Sequence, residues 1–332
     1  MTHGMEWSRQ IKVARRGLRT ALRTASAVMA PAAVVGSPTW GTGVVLEVPE
    51  FGDNPGKLAM RMYTPHDLPG QAPLVVLLHG CGQDAAGFAV ESGWIALAER
   101  IGLALVLPEQ SDTNNRQRCF HWFRAADTER GKGEVGSIRA MVTEAVRRCD
   151  SDPGRVFVVG LSAGAAMAAA LLAAYPDVFA AGASVAGLPV GAASGAASAL
   201  AHMAHAGPED RPPEAWAALA RDMGPPDYHG PWPRLSIWHG GLDNVVDPGN
   251  ADLLARQWCA LHGIGVAEPA VAVGLVARHV TWRDATGPAV EVWTIPAMAH
   301  GYPTVGVGMP VVGVLPVGLS ATDRIAAFWG LL

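Results

Sequence analysis

Charge is scarce in this chain: 16% of its 332 residues are Asp, Glu, Lys or Arg, against 50% apolar. Bulk disorder is excluded by that balance, because a chain this apolar has enough material for a sizeable core. Basic excess is lacking as well. The formal net charge is −4, which argues against a nucleic-acid partner, since such a partner selects a basic face. No apolar run reaches the roughly 20 residues a membrane span needs, so no transmembrane segment is expected. Cysteine is sparse and scattered: Cys81, Cys119, Cys149 and Cys259. Four are too few for a disulfide scaffold, and none falls in a C-x-x-C pair or a His/Cys cluster with zinc spacing. Buried free thiols are the plain expectation. Internal repeats and low-complexity linkers are also missing.

Charge is nevertheless uneven. Residues 1–25 hold six Lys/Arg against Glu6 alone, leaving the remainder more acidic than the whole. The stretch is a poor secretory signal, because its apolar part (25–36) is broken by Pro31. Arg15-Arg16 resembles a twin-arginine start, but Arg19 and Arg23 interrupt what should be apolar. A short amphipathic helix, with Ile11, Ala14, Leu18, Ala21 and Leu22 on one face, is the preferred reading. The chain is thus expected in the cytoplasm, or exported by an atypical signal. Two parts follow: a basic N-terminal extension over 1–37 and one catalytic domain over 38–332.

What the domain does contain is an alternation of strands and helices. "GVVLEV" and "LAMRMYTP" read as an opening antiparallel pair. "PLVVLLHG" is a continuous apolar run ending at glycine, as in a strand buried on both faces of a parallel sheet. A helix is expected over roughly 85–100, then strand "LALVLPEQ", a polar loop over 111–132, and helix "EVGSIRAMVTEAVRRC". Strand "RVFVVG", an alanine-rich helix, strand "FAAGASVAG", strand "RLSIWHG" and helix "NADLLARQWCALHG" come next. Strands near 277–282 and 289–295 and a final helix, capped by Ser320, close the chain. Such repeats specify an α/β architecture, a mostly parallel central sheet with helices on both faces. Ligands bind there at the carboxyl ends of strands. One insert, about 188–233, sits between two central strands and suits a lid or cap.

Gly160-Leu161-Ser162-Ala163-Gly164 is a G-x-S-x-G, weak alone but placed between a buried strand and a helix, as a nucleophile elbow requires. The strained serine needs tiny residues two before and two after, and glycine occupies both places. The alanine helix must then approach the sheet closely, so that its N-terminus directs backbone N–H groups at an oxyanion. A serine hydroxyl needs a base, and the base an orienting acid. The order Ser, acid, His points to "WHGGLDNVVDP", with Asp243 favoured over Asp247, which precedes a proline and suits a helix cap. His300 in "IPAMAHGYP" is the expected base. His79 and His239 end strands before glycines and read as loop braces, while His202, His205, His229 and His262 lie in the insert, a turn or a helix. The oxyanion donors are expected to be the N–H groups of Cys81 and Ala163.

Five motifs in order, "LLHGCGQ", "RCFHWF", "GLSAGAAM", "HGGLDNVV" and "MAHGY", resemble the polyhydroxybutyrate-depolymerase family of esterases. That family is related to feruloyl and acetylxylan esterases within the α/β-hydrolases. The resemblance runs from about Thr39 to the C-terminus. It implies an α/β-hydrolase fold, with Ser162 as nucleophile, Asp243 as acid and His300 as base, agreeing with the residue-level reading. The family often reads Cys-Trp-Asn-Trp-Phe where this chain has Cys119-Phe120-His121-Trp122-Phe123. Gln83 and Trp122 are candidate substrate-binding residues; a packing role for Trp122 is the alternative. Cys81 and Cys119 both fall near strand ends, which motivates a bridge between them. The expected activity is serine carboxylic-ester hydrolysis of a small-molecule or polymeric ester, with no metal or organic cofactor required. An acyltransferase on the same scaffold and a non-catalytic binding protein are the alternatives.

Overall fold

The computed structural model describes residues 43–207, 211–265, 269–306 and 312–332. The N-terminal extension expected over 1–37 lies outside them. Ten strands form one sheet: β1 (Leu46–Glu47), β2 (Ala59–Tyr63), β3 (Leu74–Leu78), β4 (Ala104–Glu109), β5 (Val156–Leu161), β6 (Ala181–Val185), β7 (Arg234–Gly240), β8 (Ala270–Val273), β9 (Arg278–Asp284) and β10 (Gly287–Ile295). Their spatial order is β1-β2-β4-β3-β5-β6-β7-β10-β9-β8. From β4 through β10 neighbouring strands are parallel, while β1, β2, β9 and β8 add antiparallel margins. A small parallel pair, β11 (Tyr302–Thr304) with β12 (Val314–Pro316), stands apart.

The side-chain period of two divides the apolar strands between two cores. Leu74, Val76 and Leu78 join Val156 and Val158 on one face, where helices α4 (Gly133–Cys149), α5 (Ala163–Ala174) and α8 (Gly249–Leu261) pack. Val75, Leu77, Phe157, Val159 and Leu161 point to the other, against α1 (Ala85–Glu91), α2 (Trp94–Ile101) and α9 (Ala321–Trp329). Burial on both faces explains why β3 and β5 read as unbroken apolar runs. Ser320 does cap α9, its side chain accepting from the Asp323 N–H at 3.0 Å. The single helix expected over 85–100 is two, because Gly93 takes φ +84 and breaks the helical path between α1 and α2.

The polar loop before α4 holds one short helix, α3 (Ala125–Thr128). The insert between β6 and β7 carries α6 (Ala196–Ala204) and α7 (Pro213–Arg221). It is latched to α8: the Gln257 amide accepts from the Val190 N–H at 2.8 Å and donates to the carbonyls of Val190 and Trp216. No helix among the described residues is long and apolar enough to cross a membrane.

Candidate active site

All twelve residues of α5 are buried. A helix with neighbours all round has no use for a polar stripe, and small residues let it approach the sheet. The approach is closest at Gly164, where a Cβ would overlap the Leu78 carbonyl of β3, and at Gly160, where one would overlap the Gly164 carbonyl. Glycine at these two places lets the chain reverse at Ser162. There the backbone takes φ +58 and ψ −118, a region costly for a residue with a side chain. Ser162 is 9% exposed, and its N–H donates to the Val185 carbonyl at 2.9 Å, fixing the turn to β6.

Asp243 and His300 leave the ends of β7 and β10, adjacent parallel strands. Their loops are stitched together: the Gly241 N–H donates to Ile295 and the Leu242 N–H to Met298, each at 2.9 Å. His300 Nδ1 lies 2.7 Å from Asp243 Oδ2. With Nδ1–H donated to a carboxylate, Nε2 is the basic position of the ring. Asp243 Oδ1 accepts from the N–H groups of Val245 and Val246, both at 2.9 Å. Burial pushes the Asp243 carboxyl up, but hydrogen bonds from His239 and His300 outweigh it and hold the group well below the ordinary range. Asp247 turns elsewhere, accepting from the Gly249 N–H at the start of α8.

The base loop also reaches the serine's neighbourhood. Gly301 packs on Leu315 and the Gly313 carbonyl, and Gly313 packs on Leu161 and Gln83. Gln83 braces the β3 loop at both ends of its amide: Oε1 accepts from the Gly80 N–H at 2.7 Å, and Nε2 donates to the Val312 carbonyl at 2.8 Å. Its neighbour Cys81 is bridged to Cys119. Among the described residues, the N–H groups of Cys81 and Ala163 donate to no acceptor. Trp122 is half-buried, packed against the main core and, like Met203 and Val245, against a small buried cluster of Ala166, Leu188 and Val246. That cluster covers the first turn of α5, where the Ala166 N–H donates to the Ser162 carbonyl at 3.0 Å.

Four further residues shape these loops. His79 is fully buried; its Nε2 accepts from the Gln110 N–H at 3.1 Å, so Nδ1 carries the proton donated to the Gly80 carbonyl at 2.8 Å. His79 is thus a brace of the β3 loop, the role its place before a glycine led us to expect. Gln110 also donates to the Cys119 carbonyl and to Glu134. Glu134, with no exposed surface, accepts from the backbone N–H and the ring Nδ1–H of His121, each at 2.8 Å. Burial pushes its carboxyl up, partly offset by those bonds to His121. His121, Asp127 and Glu134 lie close enough to share an ion. Three N–H donors already occupy the Glu134 carboxylate, and the set is a hydrogen-bond network. Sequence reasoning passed over Glu134 and Gln110. Their only signal is a carboxylate and an amide at the margins of apolar segments, where solvent exposure is the ordinary expectation.

Known proteins similar to this chain are esterases and depolymerases. Residues 58–281 match the family described as Esterase PHB depolymerase. The poly(3-hydroxyalkanoate) depolymerase C of Paucimonas lemoignei is 38% identical, over 98% of this chain and 79% of its own length. Feruloyl esterase B of Talaromyces stipitatus is 34% identical, over 68% of this chain and 64% of its own. Among solved structures, the acetyl xylan esterase from Aspergillus awamori superposes with a TM-score of 0.73 at 24% identity, covering 87% of this chain and 100% of that one. That likeness shows the α/β-hydrolase fold. The chain belongs to the esterase PHB-depolymerase family, and it is a carboxylic-ester hydrolase.

Proposed function

We propose that hydrolysis proceeds through an acyl-enzyme on Ser162, with His300 as general base and Asp243 as the acid that orients it. The observation that carries this reading is the 2.7 Å contact between His300 Nδ1 and Asp243 Oδ2. Gly301, next to His300, lies against the Gly313 carbonyl, and Gly313 lies against Leu161, the residue preceding Ser162. Ser162 Oγ attacks the ester carbonyl carbon while His300 Nε2 takes its proton. The carbonyl oxygen becomes an oxyanion, held by the N–H groups of Cys81 and Ala163. Donors of this kind are worth about 3–4 kcal/mol each when deleted. The tetrahedral intermediate collapses, and His300 returns the proton to the departing alcohol. Water, deprotonated by His300, then attacks the acyl carbon, releasing the acid and restoring the Ser162 hydroxyl. Asp243 holds the imidazole tautomer throughout and stabilises the imidazolium.

The substrate class is a polyester or a short-chain ester. The apolar cluster with Trp122 beside the first turn of α5 supplies one wall for it. Leu188 and Met203 bring the insert (188–233) into that wall, which supports reading the insert as a cap over the site. Gln83 holds the loop edge that the substrate passes. The test is a pair of initial-rate assays with Ser162→Ala as the blank. One uses a soluble short-chain nitrophenyl ester, the other suspended amorphous polyhydroxybutyrate with released hydroxybutyrate followed. Serine-dependent rates in both arms establish a depolymerase; a serine-dependent rate on the soluble ester alone establishes an esterase for small esters. Unchanged rates in Ser162→Ala would overturn the mechanism.

A further inference from the structure

We infer that His239 is a positioning residue for this hydrolase: its Nε2–H holds the Asp243 oxygen that faces His300. The inference rests on the triad reading and extends it by one residue. His239 is 1% exposed, at the end of β7, where it stands opposite Thr294 of β10. Its Nε2 lies 3.0 Å from the Val246 carbonyl and 3.1 Å from Asp243 Oδ2. Both are acceptors, so Nε2 carries the proton: it is hydrogen-bonded to the Val246 carbonyl and stands against the Asp243 carboxylate. Nδ1 is buried and, among the described residues, has no partner.

Four N–H groups therefore face the carboxylate of Asp243. Oδ1 takes the N–H groups of Val245 and Val246, and Oδ2 takes His300 Nδ1–H with His239 Nε2 beside it at 3.1 Å. Two carboxylate oxygens offer about four lone-pair sites, so the group is saturated. The torsion that swings a carboxylate about its Cβ–Cγ bond is broad when left to itself. Donors on both oxygens fix it, and the plane of the carboxylate sets the direction in which His300 is held. A brace for the Val246 carbonyl alone gives no reason for an imidazole here. A bare ring nitrogen in a dry interior is costly, and what offsets that cost is a second donor target, the ionised Asp243.

The experiment compares His239→Gln, His239→Asn and His239→Leu with the wild type and with Ser162→Ala. Glutamine carries an N–H donor as many bonds from Cα as Nε2, whereas the shorter asparagine places its amide at the level of the unpartnered Nδ1. Read kcat and KM on the soluble ester, the labelling rate of a soluble fluorophosphonate, and the thermal midpoint. We expect His239→Leu and His239→Asn to lower kcat and the labelling rate about 10- to 100-fold, the loss of one hydrogen bond to a charged group. KM stays within about twofold, as for an interaction acting on chemistry. His239→Gln recovers kcat to within about threefold. Should His239→Leu fail to fold, the glutamine and asparagine variants decide. Equal kcat in those two, whether high or low, would overturn the inference, as would a loss confined to the thermal midpoint or to KM. Activity surviving in Ser162→Ala would instead overturn the triad reading itself.

Discussion

Glu134 grips His121 twice, by its backbone N–H and by its ring Nδ1–H, each at 2.8 Å from a carboxylate with no exposed surface. His121 follows Cys119, which is bridged to Cys81, and precedes Trp122. One buried carboxylate thus anchors the loop carrying the apolar wall and, through the bridge, the loop of a proposed oxyanion donor. Glu134→Ala leaves the His121 and Gln110 donors unpaired in the interior. The expected cost is about 3 kcal/mol, read as a lowered urea midpoint. Glu134→Gln keeps an acceptor and costs less. Because the folded-state carboxyl lies above 4.5, the folded chain binds this proton more tightly than the unfolded one. Its contribution to stability is greatest below that pH and declines as pH rises through the raised value, and Glu134→Gln removes that component.

Asp243 has the opposite sign. Its carboxyl is held below the ordinary 3.8, so its contribution is fully present above that pH and is lost as pH falls towards the depressed value. Asp243→Asn should flatten this acid limb in urea titrations between neutral pH and the acid transition. The same variant presents His300 with an amide, which favours the wrong tautomer, and kcat should fall about 10⁴-fold.

The two unbridged cysteines should be inert in the folded protein. Burial pushes the Cys149 thiol up to about 11 and the Cys259 thiol up to about 12, and thiolate is the reactive form. A thiol titration should find none in the native protein, two after unfolding without reductant and four after reduction. Four thiols before reduction would contradict the Cys81–Cys119 bridge.

Gly164→Ala places a methyl on the Leu78 carbonyl. Neither the backbone of β3 nor α5 has room to yield, and the variant should lose at least about 3 kcal/mol. Its thermal midpoint measures this directly.

Where local pattern and tertiary demand agree, the fold was legible. The apolar runs of β3 and β5, the glycines around Ser162, and Ser320 at the start of α9 each declare a role within a few residues. An α/β architecture with a mostly parallel sheet follows from them, and the α/β-hydrolase fold from the resemblance to the esterase family. Three features lie beyond such reading. β8 is Ala-Val-Ala-Val at the sheet margin with every residue exposed, so no alternation marks it. The β11–β12 pair depends on a return of the chain by about ten residues. Asp243 draws His300 from a loop 57 residues away and Glu134 draws Gln110 from the end of β4, 24 residues before it, and partners so distant show only once the strands are in register. Loop bracing by His79 and His239 was inferable from their place before glycines, but the second target of His239 was not.

The proposed chemistry is tested most directly by trapping the nucleophile. The folded protein is treated with a soluble fluorophosphonate, digested, and the modified residue located by tandem mass spectrometry. One stoichiometric adduct on Ser162 is expected, blocked by Ser162→Ala and formed together with loss of ester hydrolysis. An adduct on another residue, or full hydrolysis by protein labelled at Ser162, would contradict it.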